Sequence, residues 1–341
     1  MVTLIKLMCV KTVTCGKYMA RYWLDDLQRI LFQIPNKPNM IQLEANNACN
    51  LDCTMCPRHE LNIDLDEMNF DLYSDTLHRL NKLNIKEIDI GGWGEITYHS
   101  RFFDLIKLAK SLDFKVYFTS NGLLLNEKMF KKLLDIGLDG ITLSIDSIEK
   151  QTKDFTGHIN VPVWKKLRLF LSLRDKSKTH LKVNTLVQKA NAHEIIAISN
   201  ALDKLEVDMH IIFGPNIARD IDNLRVPYQE EYKLYETIES LKENKHWKMI
   251  VSTPLGRYHK DKRRYHFMLG ERCPQTWQNI YVNRIGYVTP CTLLPDWHID
   301  KLSNIKSIDQ LWNHPKYKDF RRNQKHYCNG CDAMKFDKHD K

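Results

Sequence analysis

Cys49-Asn50-Leu51-Asp52-Cys53-Thr54-Met55-Cys56 is the stretch that decides how this chain is interpreted. Three cysteines fall within eight residues, separated by three and then by two residues. The apolar run before them, residues 40–45, predicts a β-strand, so the cysteines lie on the loop that leaves its end. Three thiolates on one loop can hold three irons of a cubic iron–sulfur cluster, which leaves the fourth iron open to another ligand.

Zinc is the alternative occupant of this loop. His59 follows Cys56 by three residues and offers a fourth ligand, as in a structural zinc knuckle. Spacing alone discriminates poorly between metals, so the three cysteines leave both interpretations open.

The composition indicates a globular protein with room for one large domain and a smaller one. The chain has 341 residues, of which 43% are hydrophobic and 27% are charged. The net charge of +9 suits an anionic partner, such as a phosphorylated metabolite or RNA, without demonstrating one. No apolar run approaches the roughly 20 residues of a membrane span. We therefore expect a cytoplasmic protein with no membrane partner.

Cysteine usage indicates ligands rather than disulfides. The chain has nine cysteines, an odd number, and clustered cysteines in a reducing compartment more often bind metal. Cys9 and Cys15, in the amino-terminal arm, are predicted to be ordinary thiols. The other seven form two groups, Cys49, Cys53 and Cys56, then Cys273, Cys291, Cys328 and Cys331.

The chain order predicts an α/β fold in three parts. Residues 1–38 predict a helical arm that ends at Pro35 and Pro38. Residues 39–255 alternate strand-like runs with segments of helical period about six times, which predicts a parallel sheet with helices outside, a partial (β/α)6 barrel. The strand-like runs after the first are 88–90, 116–119, 141–145, 181–187 and 209–213.

Polar and glycine residues follow several of these strands. In such folds the loops at the carboxyl ends of the strands carry function. Each short stretch alone is most simply a turn. Gathered at one mouth beside an open metal site, they predict a pocket for a ligand with amine, carboxylate and hydroxyl groups. The residues are Gly91, Gly92, Glu95, Ser120, Asn121, Ser144 and Asp146.

The tail, residues 256–341, predicts a second metal site. Residues 280–282 and 287–288 flank a turn and predict a β-hairpin, with Cys273 before it and Cys291 after it. Cys328 and Cys331 complete a set of four thiols. Four thiolates fit a fully ligated iron–sulfur cluster, and the same layout fits a zinc ribbon, so spacing leaves both open.

With these motifs in place, the chain resembles the radical S-adenosylmethionine (radical SAM) enzymes. The resemblance covers residues 40–215: the three-cysteine loop, the partial (β/α)6 barrel, and the glycine-glycine-glutamate turn after the second strand. The tail is similar to the twitch domain, a short form of the SPASM extension, as in 2-deoxy-scyllo-inosamine dehydrogenase-type enzymes. The resemblance implies two 4Fe-4S clusters, one that binds S-adenosylmethionine at the first cysteine group and one auxiliary cluster at the second.

The resemblance also implies roles for the pocket residues. Glu95 would accept a hydrogen bond from the methionine amine, and Ser144 and Asp146 would face the ribose or the carboxylate. The adenine would lie beside the backbone of Met55 and beside Asn184 and Val187, at the end of the fifth strand.

Two positions depart from the family pattern. The residue before the third cysteine is often aromatic, and here it is Met55. Many relatives place an arginine about a dozen residues after the serine at Ser144 to hold the carboxylate. Here that neighbourhood offers only Lys153 and His158 as substitutes.

The implied activity is reductive cleavage of S-adenosylmethionine to a 5′-deoxyadenosyl radical, which abstracts a hydrogen from a substrate. The expected substrate is a sugar, cyclitol or nucleotide-linked small molecule, possibly phosphorylated, that is dehydrogenated or epimerised, with the auxiliary cluster accepting an electron. Flavodoxin or ferredoxin is the expected reductant. Arg257 is the candidate catalytic base, a surface arginine being its other interpretation.

Three other functions stay open from the sequence. A SPASM-type maturase would modify a ribosomally made peptide. An RNA-modifying enzyme is favoured only by the +9 charge, so a nucleic acid partner is not expected. A non-enzymatic, metal-stabilised binding protein would not need polar strand ends around an open cluster.

Overall fold

A single sheet of ten strands organises the computed structural model of this chain, in the order β10-β9-β8-β1-β2-β3-β4-β5-β6-β7. The structure describes residues 38, 40–56, 58, 64–148, 163–214, 224–253, 273, 276 and 279–328. The strands are β1 (Met40–Leu43), β2 (Glu87–Ile90), β3 (Lys115–Ser120), β4 (Gly140–Ser144), β5 (His180–Leu186), β6 (Met209–Phe213), β7 (Ile250–Ser252), β8 (Asn279–Val282), β9 (Tyr287–Thr289) and β10 (Asp300–Lys301).

Strands β1 to β7 are parallel, and an α-helix connects each strand to the next. This confirms the α/β class and the strand–helix alternation, and the described sheet stays open rather than closing into a barrel. The helices are α1 (Phe70–Lys82), α2 (Phe102–Ser111), α3 (Glu127–Ile136), α4 (Val163–Leu173), α5 (Ile195–Lys204), α6 (Tyr228–Glu243), α7 (Ile308–Trp312), α8 (Pro315–Arg322) and α9 (Gln324–Tyr327).

The parallel sheet is wider than the six strands expected. β7 extends one edge, pairing Met209 with Ile250. β8 extends the other, running parallel to β1 with Ile41 opposite Ile280. The predicted hairpin therefore continues the same sheet as the first strand. The predicted boundary at residue 256 falls outside the described residues and stays a prediction.

Alternation along the strands separates an apolar face from a polar one. Ile41 and Leu43 of β1 are fully buried against the helices, whereas Gln42 between them is half-buried on the opposite face. β2 repeats the pattern, with Ile88 and Ile90 buried and Asp89 half-buried. Successive side chains of a strand point to opposite faces, so one face builds the core and the other lines the concave side of the sheet.

Turn chemistry matches the predicted hairpin. The amide of Asn283 donates to the Tyr287 carbonyl at 2.9 Å. Gly286 adopts a φ of 83°, a left-handed conformation that costs glycine little. The hairpin that precedes Cys291 is confirmed.

Several predictions concern residues outside the described part of the chain. They are the helical arm over 1–38, apart from residue 38, and the thiols Cys9 and Cys15. His59, Lys153, His158, Arg257 and Cys331 also lie outside it. Among the residues that are described, none of the helices combines the length and the apolar character needed to cross a bilayer.

His210 is a buried histidine with a structural role. It lies on β6, fully enclosed, with Nε2 at 2.8 Å from the Thr185 hydroxyl and Nδ1 at 3.0 Å from the Ser199 hydroxyl. Burial lowers the pKa of His210 to about 3, so the imidazole is neutral in the folded protein.

This geometry predicts a pH-dependent loss of stability. Below pH 6.5 the unfolded chain protonates His210, while the folded protein resists protonation down to about pH 3. The free energy of unfolding should therefore fall with acidification by about 1.4 kcal/mol per pH unit from this group. His210→Asn should be less stable at pH 7 but lose less stability between pH 6 and pH 4, measured by anaerobic urea unfolding. His78→Asn, on the exposed face of α1, is the control, and parallel pH profiles for wild type and His210→Asn would contradict the assignment.

Candidate functional site

A cavity of about 750 Å³ opens where the loops at the carboxyl ends of the strands meet the concave face of the sheet. Almost all of the predicted pocket residues line it. They are Cys49, Cys53, Met55, Cys56, Gly91, Gly92, Glu95, Ser120, Asn121, Ser144, Asp146 and Asn184. Val187 does not: it is 1% exposed and packs in the apolar core.

The cysteine loop is shaped by its own hydrogen bonds. Asn46 folds back on the loop, accepting from the Ala48 amide at 2.9 Å and donating to the Ala48 carbonyl at 2.8 Å. The buried guanidinium of Arg58 donates to the Leu51 carbonyl at 3.1 Å. The Leu51 amide in turn donates to Cys49 Sγ at 3.4 Å. The loop therefore holds its first thiol in a set position.

Burial raises the pKa of the Cys49 and Cys53 thiols, and the charge of Cys56 adds to the effect at both. At Cys53 burial, with the charge of Cys49 contributing as well, brings the pKa to about 12. Three thiolates on this loop therefore need a cationic group to offset them, and an iron–sulfur cluster supplies one. Among the described residues, no three Cys, His, Asp or Glu side chains are arranged to hold a single ion.

The glycine turn after β2 packs directly on the cysteine loop. The amide of Glu95 donates to the Ala48 carbonyl at 3.0 Å, and Asn46 Nδ2 donates to the Glu95 carbonyl at 2.9 Å. A Cβ on Gly94 would lie 2.5 Å from the carbonyl oxygens of Ala48 and Asn46. On Gly91 a Cβ would meet nothing closer than 3.6 Å. Gly94, which was not among the predicted site residues, therefore has no room for a side chain.

The Glu95 carboxylate is buried and held by three residues. Its Oε1 accepts from the amide and hydroxyl of Thr97, at 3.1 and 2.5 Å, and from the Ser120 hydroxyl at 2.8 Å. Its Oε2 accepts only the Asn121 amide among the described residues, at 2.8 Å. A carboxylate has about four acceptor positions, so Oε2 keeps capacity for a donor in the cavity. Ser120 and Asn121 line the cavity and also fix this carboxylate.

The opposite wall carries an acceptor without a partner. Asn184 Oδ1 is buried and meets no hydrogen-bond donor among the described residues. Asn184 lies beside Ser144 in the register of β4 and β5. Asp146 Oδ1 accepts from the Leu186 amide at 2.7 Å, and burial raises the pKa of Asp146 to about 6. A buried acceptor facing a cavity is suited to a ligand hydroxyl or amine.

Helix α4 brings two cations to the mouth of the cavity. Lys165 and Arg168 both line it, and the Arg168 guanidinium carbon lies 5.8 Å from the Trp164 ring centroid. The Trp164 indole is fixed by donation to the Ser147 carbonyl at 2.8 Å. Sequence reasoning looked for this charge nearer Ser144. The signal was present in the spacing of 164, 165 and 168 on one edge of an amphipathic helix.

The floor of the cavity is polar, which the sequence analysis also missed. Gln42 and Asp89, on neighbouring strands, both line it. Burial raises the pKa of Asp89 to about 6, against the lowering effect of the Lys182 charge. No described residue donates a hydrogen bond to the Asp89 carboxylate, which is half-buried. The strand alternation of β1 and β2 marks both positions as concave-facing.

The described cysteines of the tail are brought together by helices α8 and α9. Gln324 joins two of them: its side-chain oxygen accepts the Cys273 amide at 2.9 Å, and its carbonyl accepts the Cys328 amide at 2.7 Å. Burial raises the pKa of Tyr317 to about 12, and the charges of Cys291 and Cys273 add to the effect, so both thiols lie near this tyrosine. None of the six described cysteines forms a disulfide.

Two protein-family models match the chain. Residues 43–201 match the radical SAM superfamily, and residues 273–332 match SPASM, an iron–sulfur cluster-binding domain. These domains imply S-adenosylmethionine and iron–sulfur clusters, one cluster in the radical SAM site and one auxiliary. The three thiols, the available Oε2 of Glu95 and the unpartnered Asn184 oxygen fit those groups.

Similar proteins share parts of the sequence or the fold. A tungsten-containing aldehyde ferredoxin oxidoreductase cofactor-modifying protein of Pyrococcus furiosus is 30% identical over 178 residues, 50% of each chain. The chain thus spans about half the length of this curated relative. SuiB of Streptococcus suis, bound to its precursor peptide SuiA, superposes with a TM-score of 0.69 at 15% identity, covering 98% of this chain and 80% of SuiB.

One similar structure bears on the predicted enzyme type. BtrN in complex with AdoMet and 2-DOIA matches with a TM-score of 0.51 at 16% identity, covering 87% of this chain and 93% of BtrN. This is a distant likeness of fold. The two family models support radical SAM and SPASM domains in this chain, whereas the finer resemblance to one dehydrogenase type has only this distant likeness behind it.

The glycine turn supplies a matched pair of substitutions. Gly94→Ala should push the turn away from the cysteine loop, because its Cβ meets two backbone carbonyls that have no flexible side chain to move. We expect a loss of stability on the order of 1–3 kcal/mol and reduced iron in the first site. Gly91→Ala, three residues earlier, should retain wild-type iron content and melting temperature. Equal behaviour of the two variants would contradict the role given to Gly94.

Proposed function

Starting from a chain that carries a radical SAM domain and a SPASM iron–sulfur domain, we propose that this protein oxidises a substrate bound in the 750 Å³ cavity by removing a hydrogen atom and an electron. One observation carries the proposal. The cavity joins the three thiols and Glu95 to a polar floor, Gln42 and Asp89, that lies on strands rather than on the S-adenosylmethionine loops.

The proposed cofactor site uses the residues at the mouth. Cys49, Cys53 and Cys56 would hold the first cluster, and Glu95 Oε2 would accept the methionine amine. Arg168 would hold the methionine carboxylate, since a guanidinium matches a carboxylate with two parallel hydrogen bonds. Reductive cleavage of S-adenosylmethionine at this site supplies the radical that abstracts hydrogen.

The two residues on the floor of the cavity, Asp89 and Gln42, would contact the substrate. Asp89 is a carboxylate whose pKa is raised to about 6 by burial, close to the pH at which a general base works best. It would accept the proton of a substrate hydroxyl as the carbon beside it is oxidised. Gln42, next to it across β1 and β2, would orient that hydroxyl. Arg257, the base suggested by sequence, lies outside the described residues.

Oxidation is favoured over epimerisation because the described thiols of the cavity are all assigned to the cluster. Epimerisation by this chemistry needs a group that returns a hydrogen atom, commonly a thiol. Among the described lining residues the only thiols are Cys49, Cys53 and Cys56, which are assigned to the cluster. Oxidation needs an electron acceptor, and a cluster ligated by Cys273, Cys291, Cys328 and Cys331 would provide it. Flavodoxin or ferredoxin would supply the electron that starts the reaction.

A hydroxylated small molecule is the first substrate class. The polar floor suits a sugar or cyclitol, and Lys165 at the mouth suits a phosphate or nucleotide attached to it. The second class is a peptide, favoured by the fold likeness to SuiB, whose structure holds a precursor peptide and which matches 98% of this chain. RNA is supported only by net charge, and a purely structural metal site leaves the Asn184 oxygen unexplained.

Substrate-stimulated radical chemistry tests the function. Anaerobically reconstituted protein, S-adenosylmethionine and a reductant should form 5′-deoxyadenosine faster when a fraction containing the substrate is added. Dialysable small molecules and peptides should be supplied as separate fractions. The stimulating compound should lose two hydrogens. Stimulation only by the peptide fraction would replace the first substrate class with the second, and the absence of any cleavage would refute the proposal.

Iron content tests the two cluster sites. The reconstituted protein should contain about eight irons per chain. Replacing Cys49, Cys53 and Cys56 by alanine together should halve the iron and abolish cleavage of S-adenosylmethionine. Replacing Cys273 and Cys291 should also remove about half of the iron, but cleavage in the absence of substrate should continue. Cleavage that survives the first replacement would refute the assignment of the open cluster.

Arg168 can be tested with a ligand that lacks the carboxylate. Arg168→Gln should weaken S-adenosylmethionine binding by about tenfold, or about 1.4 kcal/mol. The same substitution should leave the binding of decarboxylated S-adenosylmethionine unchanged, because this ligand lacks the carboxylate that Arg168 is proposed to bind. Calorimetry on the cluster-loaded protein measures both affinities, and Lys165→Gln is the neighbouring control. A tenfold loss for both ligands would mean that Arg168 acts on another part of the molecule.

A further inference from the structure

The indole of Trp93 links the glycine turn of the first site to the loop that follows Cys291. Trp93 stands between Gly92 and Gly94, and its Nε1 donates to the Thr292 carbonyl at 2.9 Å. Thr292 directly follows Cys291 in the sequence. One side chain therefore connects two loops that are 199 residues apart.

The accepting carbonyl belongs to a peptide group that also contacts the cysteine sulfur. The amide of Leu293 donates to Cys291 Sγ at 3.4 Å. The Thr292 carbonyl and the Leu293 amide are the two ends of one planar peptide unit. A hydrogen bond to the carbonyl polarises that unit and strengthens the donation from its N–H. The chain thus runs from the Trp93 indole through one peptide group to Cys291 sulfur.

The backbone of Trp93 is held in place by a buried carboxylate. Glu44 is 2% exposed, and its two oxygens accept the amides of Trp93 and Arg284 at 3.3 and 3.2 Å. A Cβ on Gly92 would lie 2.7 Å from Glu44 Cγ, so the turn packs tightly against this side chain. The hairpin and the glycine turn are therefore fixed to a common point, which limits movement of the indole away from Thr292.

We propose that Trp93 sets the reduction potential of the auxiliary cluster through this peptide group. Hydrogen bonds to a ligand sulfur favour the more negatively charged, reduced cluster and raise its potential. Removing the indole N–H weakens the Leu293 donor and lowers the potential. Trp93 is a positioning residue in this scheme, since it acts on the cluster through another group. The inference rests on Cys291 as a cluster ligand and does not depend on the substrate.

Redox titration of the cluster-loaded protein tests this proposal without any substrate. The potential of the auxiliary cluster, followed by electron paramagnetic resonance, should be lower in Trp93→Phe than in wild type. We expect a change of about three- to tenfold in the equilibrium constant for one-electron reduction, where tenfold corresponds to about 59 mV. The iron content should equal that of wild type.

Trp247→Phe is the matched control. Its indole also donates a hydrogen bond, at 2.8 Å to Asn200 Oδ1, and Asn200 lies on α5. An unchanged potential in Trp93→Phe, or an equal shift in Trp247→Phe, would overturn the proposal. If Trp93→Phe fails to load the cluster, benzothienylalanine at position 93 keeps the ring shape and removes only the N–H. It must show the same lowered potential.

Loss of the proposed function and loss of this inference are distinguishable. If Cys291→Ala retains the auxiliary cluster, Cys291 is not one of its ligands and the inference about Trp93 fails, whether or not the enzyme is active. If the protein turns over no substrate but Trp93→Phe still lowers the potential, the inference about Trp93 stands and the proposed reaction fails.

Discussion

The backbone contact between the cysteine loop and the glycine turn is the constraint on which the rest of the site depends. The Glu95 amide and carbonyl are both paired with the loop, to the Ala48 carbonyl and to Asn46 Nδ2. This approach is possible only because position 94 carries no Cβ. The same contact orients the Glu95 carboxylate and brings the thiols to the cavity. A ligand that binds both metal and carboxylate needs these two loops at a fixed separation, and the peptide hydrogen bonds set it.

The parallel sheet supplies the platform for that contact. Its helix-facing side is apolar, so burial of residues such as Ile41 and Ile88 stabilises the sheet regardless of what lies on the other face. The concave face is then free to carry Gln42, Asp89 and Asn184, which are unfavourable to bury without partners. Polar groups kept at such a cost, facing a cavity, are best explained by a ligand that pairs with them.

Local patterns in the sequence predicted most of the fold, and non-local contacts account for what was missed. Period-two and helical spacing located β2 to β6, the main helices and the tail hairpin, because those signals are internal to each element. The pairing of β8 with β1 joins strands more than two hundred residues apart, and no local pattern specifies it. Gly94 was left out of the predicted site for a similar reason, since its steric requirement comes from carbonyls in another loop. Lys165 and Arg168 were missed because the direction of α4 relative to the cavity is a tertiary property. Val187 was predicted to contact the adenine, although the alternation along β5 places its side chain in the core.

The shared sheet changes how the two cysteine groups are related. Had the tail been a separate domain on a linker, the two groups would move relative to each other, since interfaces between domains usually permit motion. Instead β8 pairs with β1 over four residues, and β1 leads directly into Glu44 and the cysteine loop. The rate of electron transfer falls steeply as the distance between two centres increases, so a fixed distance keeps that rate constant. The pairing of β1 with β8 and the hydrogen bond from the Trp93 indole hold the two described loops at a fixed separation. The position of the hairpin in the sheet is therefore as much a part of the site as the cysteines it carries.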